Sequence, residues 1–246
     1  MKRLNFALCV FLIFCSVNSF GQTARTVNFF NQIKNYNFSV VLNADSIETE
    51  GEDGLRKVKR AEILGFIGDN FQRFQIHFNS VTKNPKNPYQ YFAFGKTKVF
   101  PFKGTITIKQ AYLKTHPDLL RYKQGFANCE VIFYENRKED SSGFIKGNLQ
   151  SNFEINAKGQ FGYDALMLVS DSFSNNQFIG TWTSYKTNIS KTCNWGDYRI
   201  PDCGDLDNGA GGFYVSEKYV KNGWAAYMLE NKMLNAGKTK TRKNKN

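Results

Sequence analysis

Short runs in which apolar and polar residues alternate recur along most of the chain. The clearest cover residues 74–78, 104–109, 129–135 and 177–186, and turn-forming or charged segments separate them. Alternation with a period of two is typical of a β-strand that buries one face. Strands spaced by about 8–12 residues, with turn signals between them, favour an antiparallel sandwich or barrel. The pattern therefore predicts a mostly β protein with an antiparallel, barrel-like or sandwich sheet.

Four stretches need a separate interpretation. Residues 38–43 alternate and predict a further strand, whereas residues 110–124 predict a helical or irregular insertion. Near the C-terminus, Ser216 and Gly223 are the residue types that begin and end a short helix. Residues 224–234 fit either a closing strand or a terminal helix. Helical structure is thus expected only in residues 110–124 and in the C-terminal region.

The N-terminus has the three parts of a secretory signal peptide. Lys2 and Arg3 are followed by the short apolar run 6–14, and small residues precede Gln22. The run is too short to span a bilayer, so residues 1–21 predict a leader that is removed on export. No later stretch approaches the ~20 apolar residues of a transmembrane span. The mature protein is therefore expected in the periplasm, at the cell surface or secreted.

Residues 22–230 are long enough for a single β-rich domain or for two closely packed subdomains. Residues 231–246 hold six basic residues and no acidic residue, within a chain whose formal net charge is +12. This composition predicts a disordered basic tail, either simply solvated or in contact with an anionic surface. Because so much of the basicity lies in the tail, specific binding of nucleic acid is not expected.

The stretch 178–227 contains all three tryptophans of the chain and many of its Asp, Asn and Gly residues. Flat aromatic rings with Arg and Asp suit sugar recognition, and the same residue types are enriched at protein interfaces. The alternative is that the rings pack at the end of the sheet. The predicted ligand-binding residues are Trp182, Tyr185, Trp195, Asp197, Tyr198 and Arg199.

Cys193 and Cys203 bracket a short loop that contains Gly and Pro. In an oxidising compartment this spacing predicts a disulfide bond that ties a loop-rich C-terminal cap. Cys129 begins a strand-like run and is expected to be a buried free thiol, because the two histidines of the chain supply no obvious base for a nucleophile.

Candidate chemistry is sparse. Asp205 and Asp207, followed by Asn-Gly, have the spacing of calcium-binding oxygens, with an Asx-rich turn as the alternative and no other cofactor expected. The sequence contains no GxSxG, HExxH or phosphate-loop motif. A glycan hydrolase would need two facing carboxylates. The candidates in this region are Asp197, Asp202, Asp205, Asp207 and Glu217.

Five distinctive segments are spread over most of the mature chain: GFIGDNFQRFQIHF (65–78), NNQFIGTWTSYKT (175–187), CNWGDYRIP (193–201), DLDNGAGGF (205–213) and EKYVKNGW (217–224). These segments resemble a family of exported proteins of unknown function from Bacteroidota. The resemblance implies export and brings no activity, ligand or catalytic residue with it.

The leading hypothesis is a non-catalytic exported binding or envelope protein. Its ligand would be a glycan, a lipid-like molecule or another envelope protein. A glycan-directed hydrolase with paired carboxylates and a purely structural envelope protein are the alternatives.

Overall fold

The structure is a computed structural model that describes residues 25–51 and 54–231. The predicted leader lies outside these residues, and so does the predicted tail apart from Asn231. The described residues form thirteen strands: β1 Thr26–Asn28, β2 Ser46–Gly51, β3 Gly54–Lys59, β4 Ile63–Ile67, β5 Gln72–Arg73, β6 Ile76–Asn84, β7 Asn87–Thr97, β8 Pro101–Lys114, β9 Lys123–Glu135, β10 Gly143–Ile155, β11 Phe161–Tyr163, β12 Asn175–Ser184 and β13 Ser190–Asp197.

Most of these strands belong to one antiparallel sheet in the order β5-β4-β13-β12-β10-β9-β8-β7-β6. β1 pairs with β8 and β11 with β10, while β2 and β3 form a separate hairpin. The sheet curls into a half-barrel, which confirms the predicted mostly β, antiparallel, barrel-like architecture. Its two edge strands, β5 and β6, follow one another in the chain, so the edges approach each other there.

The inner face of the half-barrel holds the main core. Alternating residues of the long strands point inward, and two short helices, α1 (Phe30–Ile33) and α2 (Ser39–Asn43), add Ile33 and Val41 to them. Strand residues with at most 2% exposure in this core include Tyr91, Ile106, Val131, Phe133, Ile145 and Phe178. Burial of this many large apolar side chains is the main stabilising contribution to the fold.

The strand predicted over residues 38–43 is wrong, because most of this segment is the helix α2. Phe38, Val41 and Leu42 are buried, whereas Val40 is 39% exposed. That is the i, i+3, i+4 spacing of a helix face. The same short apolar run fits both the period of a strand and the period of a helix, and packing inside the half-barrel selects the helix.

The insertion predicted over residues 110–124 is also wrong in its extent. β8 continues to Lys114 and β9 begins at Lys123, so only the residues between them are irregular. A bulge between Ile108 and Gln110 shifts the pairing of the two strands. The shift turns Ala111 into the core, which breaks the alternation at that point and hides the strand in the sequence.

The chain after β13 forms a cap, residues 198–231, over the outer face of β4 and β13. Leu64 and Phe66 of β4 pack there against cap residues that include Leu206, Val215 and Trp224. Short 3₁₀ turns at Gly204–Leu206 and Glu217–Tyr219 lead to a helix over residues 225–231. This end of the sheet is therefore buried on both faces.

The helix predictions for the cap are confirmed in part. Gly223 has φ +91°, as expected for the glycine that ends a short helix, but the side chain of Ser216 makes no capping hydrogen bond. Residues 225–231 are helical, which decides between strand and helix for the described part of 224–234. No helix within 25–51 and 54–231 is both long and apolar enough to cross a membrane.

The predicted Cys193–Cys203 disulfide is wrong. Cys193 lies in the inner core and Cys203 in the cap, on opposite faces of the sheet, and both are free thiols. Cys129 is free and 2% exposed, as predicted. The cap is held by apolar packing and by a hydrogen bond from Trp224 Nε1 to the carbonyl oxygen of Phe71 (2.8 Å).

We expect the protein that begins at Gln22, prepared without reductant, to release three titratable thiols on denaturation. In the native state these thiols should react slowly, because burial raises the pKa of Cys129 and of Cys193 and excludes the reagent. Thiol titration in denaturant counts the thiols, and titration without denaturant measures how fast they react in the native state. A linked Cys193–Cys203 peptide in mass spectrometry would contradict the placement of these residues on opposite faces.

Candidate functional site

Asp197, at the end of β13, is the centre of a buried polar network. Its side chain is fully buried, and Arg60 Nη2 donates to both of its carboxylate oxygens, at 2.9 and 2.7 Å. The Tyr163 hydroxyl (3.0 Å) and Asn176 Nδ2 (2.7 Å) donate to Oδ2. Burial raises the pKa of Asp197, and the charge of Arg60 opposes that rise. The carboxylate is thus saturated with donors and unavailable to a ligand.

The same network fixes α2. Arg60 Nη1 donates to the carbonyl oxygen of Leu42 (2.8 Å), and Asn176 Nδ2 also reaches that of Val41 (3.2 Å). Asn176 has φ +47° and Tyr198 has φ +64°, which places both in the left-handed region that non-glycine residues rarely adopt. Backbone in this region carries strain that the surrounding contacts must offset. The network therefore supports a strained junction between α2 and the ends of β12 and β13.

Trp195 is a core residue rather than a binding residue. It is fully buried, stacks on Phe178 with 4.8 Å between ring centroids, and meets Phe78 edge-on at 5.9 Å. On the neighbouring strand, a Cβ placed on Gly65 would lie 2.9 Å from Trp195 Cβ. The space beside the indole is filled, so Trp195 offers no surface to a ligand.

Arg199 organises the loop of the cap. Its Nη1 donates to Asp207 Oδ2 (2.6 Å) and to the carbonyl oxygen of Gly209 (3.0 Å). Asp207 Oδ1 accepts from the backbone N–H groups of Gly209 and Tyr214, at 2.9 and 3.0 Å. This is the Asx-rich turn that the sequence offered as the alternative to a calcium site.

The calcium prediction finds no support in this loop. Asp205 points elsewhere, to Lys218 and the hydroxyl of Tyr219. Across the described part of the chain, no group of three or more His, Cys, Asp or Glu side chains is placed to hold a metal ion.

Trp182 and Tyr185 lie apart from the cap. Trp182 Nε1 donates to Glu135 Oε2 (3.0 Å), and Tyr185 stands under the guanidinium of Arg137, 4.4 Å from its ring centroid. The six predicted binding residues therefore do not form one site. Trp195 and Asp197 belong to the core, and Tyr198 and Arg199 to the junction with the cap. Trp182 lies near the end of β12, and Tyr185 lies in the turn that follows this strand.

Glu135, which the sequence analysis did not single out, sits behind Trp182. It is 6% exposed and also accepts hydrogen bonds from the N–H of Gly143 (2.8 Å) and the hydroxyl of Thr97 (3.4 Å). Burial raises the pKa of Glu135, and these donors oppose the rise. A signal was present, because Glu135 continues the alternation of Val131 and Phe133 and so faces inward.

Glu135 and Trp182 line an apolar pocket of about 400 Å³ near the approaching edges of the sheet. Arg73 and Lys98 also border this pocket. Its apolar walls come from Ile67, Phe74, Val99 and Phe100. A largely apolar cavity with a few polar groups is the usual form of a small-molecule site.

A basic groove of about 630 Å³ adjoins the apolar pocket, and Gln75, Thr97 and Lys98 line both. Lys59, Lys96, Lys98 and His77 are exposed along this groove. In residues 25–51 and 54–231 these lysines form no ion pair. The acidic groups of the groove are Asp45 and Glu62, and Glu62 is paired with Arg73. The free positive charge therefore stands beside an apolar cavity.

No protein-family model, curated protein or solved structure matches this chain.

We expect Asp197→Ala to lower the free energy of unfolding by about 3–5 kcal/mol, because it leaves Arg60 buried without its partner. The matched control is Asp205→Ala, which removes an exposed pair with Lys218 and should leave stability nearly unchanged. Urea unfolding of the two variants and the parent protein measures the difference. Equal effects of the two substitutions would refute the central role of the Asp197 network.

Proposed function

We propose that this chain is an exported, non-catalytic protein that binds an amphipathic, lipid-like molecule. The apolar part of the ligand occupies the apolar pocket, and its anionic head lies in the basic groove. The observation that carries the proposal is the continuity of the two cavities, which share Gln75, Thr97 and Lys98.

The walls of the apolar pocket favour a hydrocarbon over a glycan. A sugar would need several free hydrogen-bonding partners in the cavity, since burying its hydroxyls without them is unfavourable. The buried acid of the pocket, Glu135, already accepts three hydrogen bonds. Transfer of each methylene group from water into such a cavity contributes about 0.8 kcal/mol.

The charge of the basic groove favours an anionic head. Lys59, Lys96 and Lys98 are exposed and carry no ion pair within the described residues, so they are free to pair with a carboxylate or phosphate. Positive groups at the mouth also attract an anionic ligand over distance, an effect that salt weakens.

The hydrolase alternative has less support. Three of the five candidate carboxylates, Asp197, Asp205 and Asp207, each pair with a basic residue of the protein, which leaves only Asp202 and Glu217 of that set without an ion pair among the described residues. A purely structural role would leave the apolar pocket without a purpose. Binding of a small amphipathic ligand uses the apolar pocket and the lysines of the basic groove together.

We expect Val99→Trp to weaken binding of dodecanoate by about tenfold or more, because the indole fills the mouth of the apolar pocket. Val99 is 71% exposed, so the substitution should not disturb folding. Val169→Trp, at a residue that is 67% exposed and lies outside both cavities, is the matched control. Titration calorimetry of both variants tests the site, and equal affinities would reject it.

A second comparison tests the head group. The double substitution Lys96→Glu with Lys98→Glu should weaken dodecanoate binding by about tenfold or more and leave dodecanol binding unchanged, since only the anion meets the lysines. Lys103→Glu with Lys146→Glu makes the same charge change at exposed positions outside the groove. If the groove double variant and the control double variant bind dodecanoate with equal affinity, and dodecanol with equal affinity, the basic groove has no part in recognition.

A further inference from the structure

A second groove, of about 650 Å³, lies between α2, the start of β2 and the β10–β11 hairpin. Its charged side chains are Asp45, Glu48 and Glu154, and no lysine, arginine or histidine of the described residues lines it. We call it the acidic groove. Its charge is opposite to that of the basic groove described above.

Glu154 is the unusual member of this set. It is 8% exposed, and its Oε2 atom is buried without a hydrogen-bond partner among the described residues. A buried carboxylate without a donor is unfavourable, because it has lost its hydration and gained nothing in return. The group is therefore left ready to accept a donor that enters the groove.

The neighbours of Glu154 explain why it lacks a donor. Gln124 lies directly opposite on β9, but its Nε2 donates to Asp118 (3.0 Å) and to Asp164 (2.8 Å). On the other side, β11 presents Gly162, and a Cβ there would lie 3.1 Å from Glu154 Oε1. Gln124 thus donates to other carboxylates, and Gly162 has no side chain that could donate to Glu154.

The charges that face Glu154 are all negative. Burial, then Asp164 beyond β11, then Glu48 of β2 raise the pKa of Glu154 to about 7. Lys57 stands opposite Glu48 on β3 without forming an ion pair, and Arg60 is committed to Asp197. Within the described residues, nothing cationic neutralises the groove.

We propose that the acidic groove binds an alkylammonium group, with its nitrogen paired to the carboxylate of Glu154. An ammonium ion is a compact point charge with three donors, which suits a nearly buried carboxylate with further carboxylates nearby. The proposal is independent of the amphipathic ligand and uses none of the residues of the apolar pocket.

The site has a predicted proton linkage. A cation binds the ionised form of Glu154, so below about pH 7 it competes with the proton and its affinity falls about tenfold per pH unit. Above that pH the affinity is constant until the ammonium ion itself loses its proton at about pH 10. Binding near pH 6 therefore releases close to one proton, which calorimetry in buffers of different ionisation enthalpy measures.

The test compares pentylamine with its neutral analogue pentanol, and adds Nα-acetyl-lysine methylamide as a model of a peptide side chain. We expect pentylamine to bind at pH 8, pentanol not to bind, and Glu154→Gln to weaken the amine at least tenfold. Glu139→Gln, an exposed residue outside the groove, is the matched control. If only the lysine derivative binds and Glu154→Gln abolishes this binding, the ammonium site stands and its source is a polypeptide.

Folding of the variant is checked separately. Burial of an ionised Glu154 destabilises the protein above its folded pKa, and this loss develops as the pH rises from the ordinary range of a glutamate to about 7. Glu154→Gln should therefore unfold at a higher temperature than the parent protein at pH 8, and at a similar temperature near pH 5. Absence of binding by both pentylamine and the lysine derivative up to about 10 mM, or equal binding by a folded Glu154→Gln variant, would overturn the proposal.

Discussion

The buried pair between Arg60 and Asp197 is the interaction on which the rest of the structure depends. It joins the segment between β3 and β4 to the end of β13, and through the carbonyl oxygen of Leu42 it also holds α2. Taking two charges out of water is costly, so such a pair is maintained only when further hydrogen bonds complete it. Tyr163 and Asn176 supply them here. The buried polar network of Asp197 thereby specifies one arrangement of α2 inside the half-barrel.

The position of α2 in turn determines the character of two cavities. Asn43, Ala44 and Asp45, at the end of this helix and in the turn that follows, line both the basic groove and the acidic groove. Lysines of β3 and of the β7 end lie on one side, and carboxylates of β2 and β10 lie on the other. A short helix held by one ion pair thus separates two grooves of opposite charge.

The sequence predicted the sheet well wherever alternation is uninterrupted, as at Val131 and Phe133. It failed at α2, where a six-residue run fits both the strand period and the helix period. It also failed at Ala111, where a bulge changes which alternate residues of the strand face the core. The cysteine prediction assumed that a short separation along the chain means proximity, yet the sheet itself lies between the two thiols. The pairing of Arg60 with Asp197 spans 137 positions, and no local pattern encodes it.

The three tryptophans occupy three different environments. Trp195 and Trp224 are fully buried, one in the inner core and the other in the cap, whereas Trp182 is partly exposed and forms a wall of the apolar pocket. A soluble quencher of indole emission therefore reaches one of the three chromophores, and a molecule that enters the pocket shields the same one. The protein carries its own optical reporter, with the signal assigned to a single residue and without an attached dye.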